Sequence, residues 1–204
     1  MESLLSTHGY YRISIVRRSG AMLLNTNGER AFIIAQLQDL LSPRLILGEV
    51  PAYRQLSSCI DLLAFSVRPA VVELLVFSID ETITKDFSHR IIARLAQHQY
   101  QYRPGRHSVA SELLSTTHLL GGPHDALAES IKIHRLHNDW EFDRYSSVGF
   151  FLHDRRGDWM RLWRLTQLYD NDPAVYLEFL SNNTSQEKQP SAAIAIPRSS
   201  LLAS

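Results

Sequence analysis

The sequence predicts an α+β protein, with an antiparallel sheet, helices packed on it and a small helical extension at the C-terminal end. Three observations carry that expectation. Residues 60–77, IDLLAFSVRPAVVELLVF, hold two apolar, β-favouring runs (60–67 and 71–77) separated by the breaker Arg68-Pro69-Ala70, the pattern of neighbouring strands joined by a tight turn. The segments before and after these runs repeat apolar residues at helical spacing. A half-buried strand pattern at residues 10–16, YYRISIV, opens the ordered part of the chain. Within the central runs only Asp61, Ser66 and Glu73 are clearly polar, so both should be central strands covered on both faces.

The length of 204 residues and a hydrophobic content of 45% suit one core, with a single domain over 8–181, its helical extension from about 140, and a tail over 182–204. Lys+Arg and Asp+Glu balance at 21 each, which excludes a strongly basic, general nucleic-acid binder and leaves any such contact to local patches. The basic residues are mostly arginine, whose planar fork suits phosphate. The single Cys59 excludes an intramolecular disulfide and a thiolate cluster for zinc, and reads as a buried, inert thiol. No run approaches the ~18 apolar residues of a membrane span. The opening MESLLSTHGYY lacks the charged-then-apolar order of a secretory signal. The expectation is a cytoplasmic protein with no membrane partner.

In chain order, the first strand leaves through Arg17-Arg18-Ser19-Gly20. Asn25-Thr26-Asn27-Gly28 then offers an N-cap for a helix over 28–41, on which Phe32, Ala35, Leu37 and Leu40 or Leu41 recur until Ser42-Pro43 stops it. Residues 42–58, with two prolines and a glycine, read as a surface-loop insertion with a short extended piece at 45–47. After the central strands, 80–84 is a polar connection into a helix over 85–102 with the stripe Phe87, Ile91 and Leu95; Arg90, Arg94 and His98 occupy its exposed side. Residues 112–120 suggest a further strand, and Pro123-His124-Asp125 opens a short helix. Two terminal helices are expected, over 158–170 (DWMRLWRLTQLYD) and over 173–180, the latter capped by Asp172 with Pro173 in its first position. From 181 the composition turns to Ser, Asn, Gln, Pro and Ala, too little apolar surface to offset ordering entropy.

Residues 62–76, LLAFSVRPAVVELLV, resemble the stretch AYVVMPNHVHLLV of the REP-associated and insertion-sequence tyrosine transposases, single-domain HUH enzymes that cut and rejoin single-stranded DNA. Pro69 falls on the family's proline, and Leu74, Leu75 and Val76 fall on its LLV. Weaker likenesses join RPGRHS to the family's basic loop and RYSSVG to its WSSY segment, so the resemblance covers roughly residues 10–180. It implies a ferredoxin-like antiparallel sheet with helices on one face. It also implies a divalent metal, magnesium or manganese, held by the two histidines of a His-hydrophobic-His motif and a carboxamide beside a tyrosine nucleophile. The aligned residues here are Val71, Val72 and Glu73, and a valine donates no ligand. Tyr100 and Tyr102 are the candidate nucleophile positions, and four residues beyond them stand Pro104 and Arg106 in place of the carboxamide. Glu73 is thus the single candidate for a vestigial metal site. With no metal to polarise the scissile phosphate, a tyrosine of pKa near ~10 has little to activate it. The chemistry is expected to be lost and no cofactor is expected.

For DNA contact, Arg155, Arg156, Arg161 and Arg164 interleave with Trp159 and Trp163, so that guanidiniums can neutralise phosphates and indoles can stack on unpaired bases. The competing reading makes the same tryptophans and leucines the buried stripe of a packing helix. Arg17, Arg18, Arg90, Arg94, Arg103 and Arg106 would form a second patch if the exit of the first strand and the second helix share a face. His134, His137 and Asp139 make the one ligand-like cluster, and Ser146-Ser147 lacks the glycine frame of a nucleophile elbow. The function expected is recognition of single-stranded or hairpin DNA, with a homodimer as a partner state. Two alternatives stand beside it: a protein-interaction module on the same fold, and an enzyme with a site relocated to His134, His137 and Asp139.

Overall fold

A computed structural model of the chain describes residues 8–42, 56–102, 109–135, 143–152, 155 and 157–182. Strand β1 (Gly9–Arg17) is followed by helix α1 (Asn27–Leu41), strands β2 (Ile60–Val67) and β3 (Val71–Ser78), helix α2 (Glu81–Tyr102), strand β4 (Leu113–Leu119) and helix α3 (Pro123–Arg135). Among the described residues three further helices follow: α4 (Val148–Phe151), α5 (Trp163–Thr166) and α6 (Pro173–Asn182). The four strands make one antiparallel sheet in the order β2-β3-β1-β4, so the class is α+β as predicted.

Side-chain alternation divides this sheet between two cores. Tyr11, Ile13 and Ile15 of β1 and Val72, Leu74 and Val76 of β3 face one way, against Ile33 and Leu37 of α1 and Phe87, Ile91 and Leu95 of α2. On the other face Leu63, Ala64 and Leu75 pack against Leu127 and Ile131 of α3, Phe151 of α4, Leu165 of α5 and Tyr176 of α6. The helices therefore lie on both faces, which corrects the one-face arrangement and follows from the apolar residues that β2 and β3 carry on both sides. A bulge between Leu62 and Ala64 adds to the unbroken apolar look of β2, because it turns Leu63 and Ala64 to the same core.

Local chemistry sets the helix starts. Thr26 caps α1 by accepting from the Glu29 amide at 3.1 Å, and the Glu29 carboxylate accepts in return from the amides of Asn25 and Thr26. Glu29 is buried and also accepts from Gln99 Nε2 at 3.3 Å, which ties this cap to α2. The buried face of α1 is Glu29, Ile33, Leu37 and Leu41. Phe32 sits at its border, stacked on His98 with ring centres 3.9 Å apart. Helix α2 starts at Glu81, earlier than predicted, since the Asp80 carboxylate accepts from the Thr82 amide and begins the turn within the polar connection. In α6 the Asp172 carboxylate accepts from the Ala174 amide at 2.8 Å, the cap predicted there.

The helix expected over 158–170 shrinks to α5 and a single 3-10 turn, because the chain before it has another task. Met160 bridges Leu62, and the Arg161 amide donates to the Leu62 carbonyl at 3.0 Å. Further along the same edge the Ser147 amide donates to the Phe65 carbonyl, and the Val67 amide to the Tyr145 carbonyl, both at 2.9 Å. An apolar edge strand left open would expose a row of unpaired backbone groups, so the C-terminal segment covers β2 instead of coiling. At the opposite edge, β4 has no strand on its outer side among the described residues. Among those residues no helix is long and apolar enough to cross a membrane. Most of the 42–58 insertion and the tail beyond 182 lie outside the described residues.

Candidate functional site

Glu73 sits in mid-sheet on the α3 face and is buried. The Arg12 guanidinium donates to both of its oxygens, Nε to Oε2 at 3.0 Å and Nη2 to Oε1 at 3.1 Å, and the Ser14 hydroxyl donates to Oε2 at 2.7 Å. Arg12 also pairs with Glu129 of α3 at 2.7 Å. Its hydrogen bond to Glu73 raises the Arg12 pKa, with the Coulombic pull of both carboxylates adding to it against desolvation, so the guanidinium stays charged. This arrangement is an ion-pair bridge between the sheet and α3. Tyr100 and Tyr102 project from the C-terminal end of α2, which packs on the other face, and they are 63% and 74% exposed. The sheet thus separates the tyrosines from Glu73. Among the described residues no group of three His, Cys, Asp or Glu side chains is placed to hold a metal ion.

The arginines of the expected second patch are distributed over separate partners. Arg17 pairs with Glu112 at 3.2 Å, Arg90 with Asp86 of its own helix at 2.9 Å, and Arg94 with Asp39 of α1 at 2.7 Å. Arg18 is exposed and makes no ion pair among the described residues. Arg103, Arg106 and Arg156 lie outside the described residues, as do His137 and Asp139 of the histidine cluster.

His134 meets Ser147 instead. Its Nε2 is 2.7 Å from Ser147 Oγ and its Nδ1 2.7 Å from Tyr176 Oη, while Ser147 Oγ also donates to the Phe65 carbonyl and accepts from the Phe65 amide. A neutral ring satisfies every group, with Nε2–H donating to Ser147 and the tyrosine hydroxyl donating to Nδ1. Both Ser147 and His134 are buried, so no substrate reaches this Ser–His pair, and its work is to lock α3, α6 and the β2 edge together. Burial lowers the His134 pKa to about 3. Between that value and the unfolded value of about 6.5, the unfolded chain binds the extra proton, so stability is full above pH 6.5 and falls as pH drops. Unfolding free energies measured from pH 7 to pH 5 should decline by up to about 1.4 kcal/mol per pH unit from this residue. The His134→Gln variant, less stable at pH 7, should show a flatter profile.

Exposed aromatic and cationic groups converge where β2 begins, β3 ends and α5 begins. A cleft of about 390 Å³ there is lined by Asp61, Phe77, Ile79, Arg161, Trp163 and Arg164, with Ser58 and Cys59 at its margin. The antiparallel register sets Asp61 opposite Phe77. Arg164 reaches between them, donating from Nε to Asp61 Oδ2 at 2.7 Å. Its guanidinium lies 3.7 Å from the Phe77 ring centre and 4.5 Å from that of Trp163, so cation–π contacts hold the indole in place. Trp163 is nevertheless 53% exposed and offers a fixed stacking surface. Arg161 makes no ion pair among the described residues. Trp159, by contrast, is buried and stacks on Phe65 at 5.7 Å. Of the interleaved arginines and tryptophans, Arg161, Trp163 and Arg164 share one cleft, and Trp159 belongs to the core. Asp61, Phe77 and Ile79 were not singled out in the sequence as site residues; a lone carboxylate at the start of an apolar strand was the available signal for Asp61. Comparison with protein-family models, curated proteins and solved structures finds no significant match.

Proposed function

We propose that this chain binds single-stranded or hairpin DNA, as a transposase-like protein of the HUH tyrosine type that no longer cleaves the strand. The observation that carries the reading is the Arg161–Trp163–Arg164 cleft. An exposed, immobilised indole stacks on an unpaired base, and the guanidinium of Arg161 neutralises the adjoining phosphate. The β-α-β-β-α-β order and the strand order β2-β3-β1-β4 support placing the sheet among ferredoxin-like folds. The ion-pair bridge at Glu73, on the opposite face from Tyr100 and Tyr102, supports loss of the metal-dependent step. Incubating the protein with a labelled stem-loop DNA, with and without manganese, tests both halves. Salt-sensitive retention of intact DNA is expected, the same for Tyr100→Phe and Tyr102→Phe. Manganese-dependent nicking that either substitution abolishes would overturn the loss of chemistry.

A second reading has its own observation. The outer edge of β4 carries exposed Leu114 and Leu119 and has no partner strand among the described residues, which suits strand-to-strand pairing with another protein or a second copy. A stable oligomer together with no DNA binding at low salt would favour this interaction module.

A further inference from the structure

Arg30 of α1, Arg144 and Arg155, far apart in the chain, gather around Tyr145 at the end of the covered β2 edge, and none makes an ion pair among the described residues. The Arg30 guanidinium lies 4.1 Å from the centre of the Tyr145 ring, and that of Arg144 lies 5.0 Å from the same centre. Arg30 also donates to Asn27 Oδ1. Arg155 Nη1 donates to the Arg144 and Ser146 carbonyls, on either side of Tyr145, at 3.1 and 3.2 Å. Its side chain is seated on Gly149, where a Cβ would stand 3.1 Å from Nε. Tyr145 is buried, so these cations stand on a fixed platform. Holding like charges together costs Coulombic energy. Arg12, Arg17, Arg90, Arg94 and Arg164 each meet a carboxylate that offsets their charge, and these three do not. The acid beside them is Asp143, whose Oδ1 accepts from the Tyr145 amide at 2.9 Å and whose charge also draws half-buried Arg68. Oriented guanidiniums without a counter-ion suit an anion from outside the chain, and their planar forks match phosphate oxygens.

We infer that Arg30, Arg144 and Arg155 hold the sugar-phosphate backbone of the bound strand, at an anchor separate from the Arg161–Trp163 cleft. The inference rests on the DNA-binding reading above and adds a second contact to it. The Arg161 amide bonds the Leu62 carbonyl and the Tyr145 carbonyl bonds the Val67 amide. The two cationic groups are therefore attached at opposite ends of the same edge, separated by about 16 Å of strand at ~3.3 Å per residue. A single strand laid along that edge reaches both. The buried Tyr145 ring offers no face to a base, so the anchor positions the strand by charge and leaves stacking to Trp163.

The test titrates a labelled single strand of mixed sequence with the full chain by fluorescence anisotropy across a salt series. Arg144→Gln, a change at an exposed side chain, should reduce the slope of log affinity against log salt by about 0.7, one phosphate contact on a single strand. The double variant Arg30→Gln/Arg144→Gln should reduce it by about 1.4. Lys85→Gln removes the same charge from an exposed pair with Glu81 and should leave the slope at the parent value. Thermal unfolding checks that each variant is folded, and Arg144→Gln carries the test alone should the double variant fail to fold. A parent-like slope for Arg144→Gln, or an equal reduction for Lys85→Gln, would overturn the anchor and leave DNA binding at the cleft intact. No binding by the parent protein at low salt would overturn both.

Discussion

Replacing Arg12 by methionine should lower the unfolding free energy by about 3 kcal/mol, at the lower end of the cost of breaking a buried ion pair because the guanidinium is partly exposed. The reason is geometric. Arg12 alone stands between two buried carboxylates, Glu73 on β3 and Glu129 on α3, and bonds Glu73 through two nitrogens. Removing it leaves Glu73 with the Ser14 hydroxyl and the charge of nearby Arg68, and Glu129 with Lys132 at 3.0 Å. Methionine keeps most of the stem's packing, so the loss reports charge and hydrogen bonding more than volume. Urea unfolding measures it directly. A loss below about 1 kcal/mol, the range of a surface pair, would mean that the bridge is solvated.

Trp163→Ala should weaken binding of single-stranded DNA about tenfold, the usual effect of deleting one base-stacking aromatic. More than half of the indole is in solvent, so its removal leaves the core intact and the unfolding midpoint close to that of the parent protein. Trp159→Ala should do the reverse: that buried indole stacks on Phe65 and meets Phe150 edge to face, and its deletion strikes stability before affinity. Anisotropy titrations of the two variants, paired with thermal unfolding, separate the stacking surface from the packing surface. Parent-like DNA affinity of Trp163→Ala would remove the cleft from the interface.

Local signals explain what was legible in the sequence. The β2–β3 hairpin was visible in two apolar runs around a proline breaker, the start of α1 in Thr26 and Glu29, and that of α6 in Asp172-Pro173, all decided within a few residues. Long-range contacts decide the rest. Nothing in DWMRLWRLTQLYD announces that Met160 and Arg161 must satisfy the Leu62 edge 98 or more positions away, so helical spacing overstated that helix. Glu73 read as an isolated acid because Arg12 and Ser14 reach it through the β1–β3 register and Glu129 through the docking of α3. The same holds at the cleft. Arg161, Trp163 and Arg164 are neighbours in sequence, whereas Asp61 and Phe77 join them only through strand pairing and the packing of α5.

Binding of a stem-loop DNA across a salt series, by the parent protein and by Arg161→Ala, tests the central claim most directly. Affinity should fall with salt for both proteins, and the slope of log affinity against log salt should be smaller for the variant by about 0.7, the share of one phosphate contact on a single strand. Binding that ignores salt, or an Arg161→Ala slope and affinity indistinguishable from the parent's, would contradict the account.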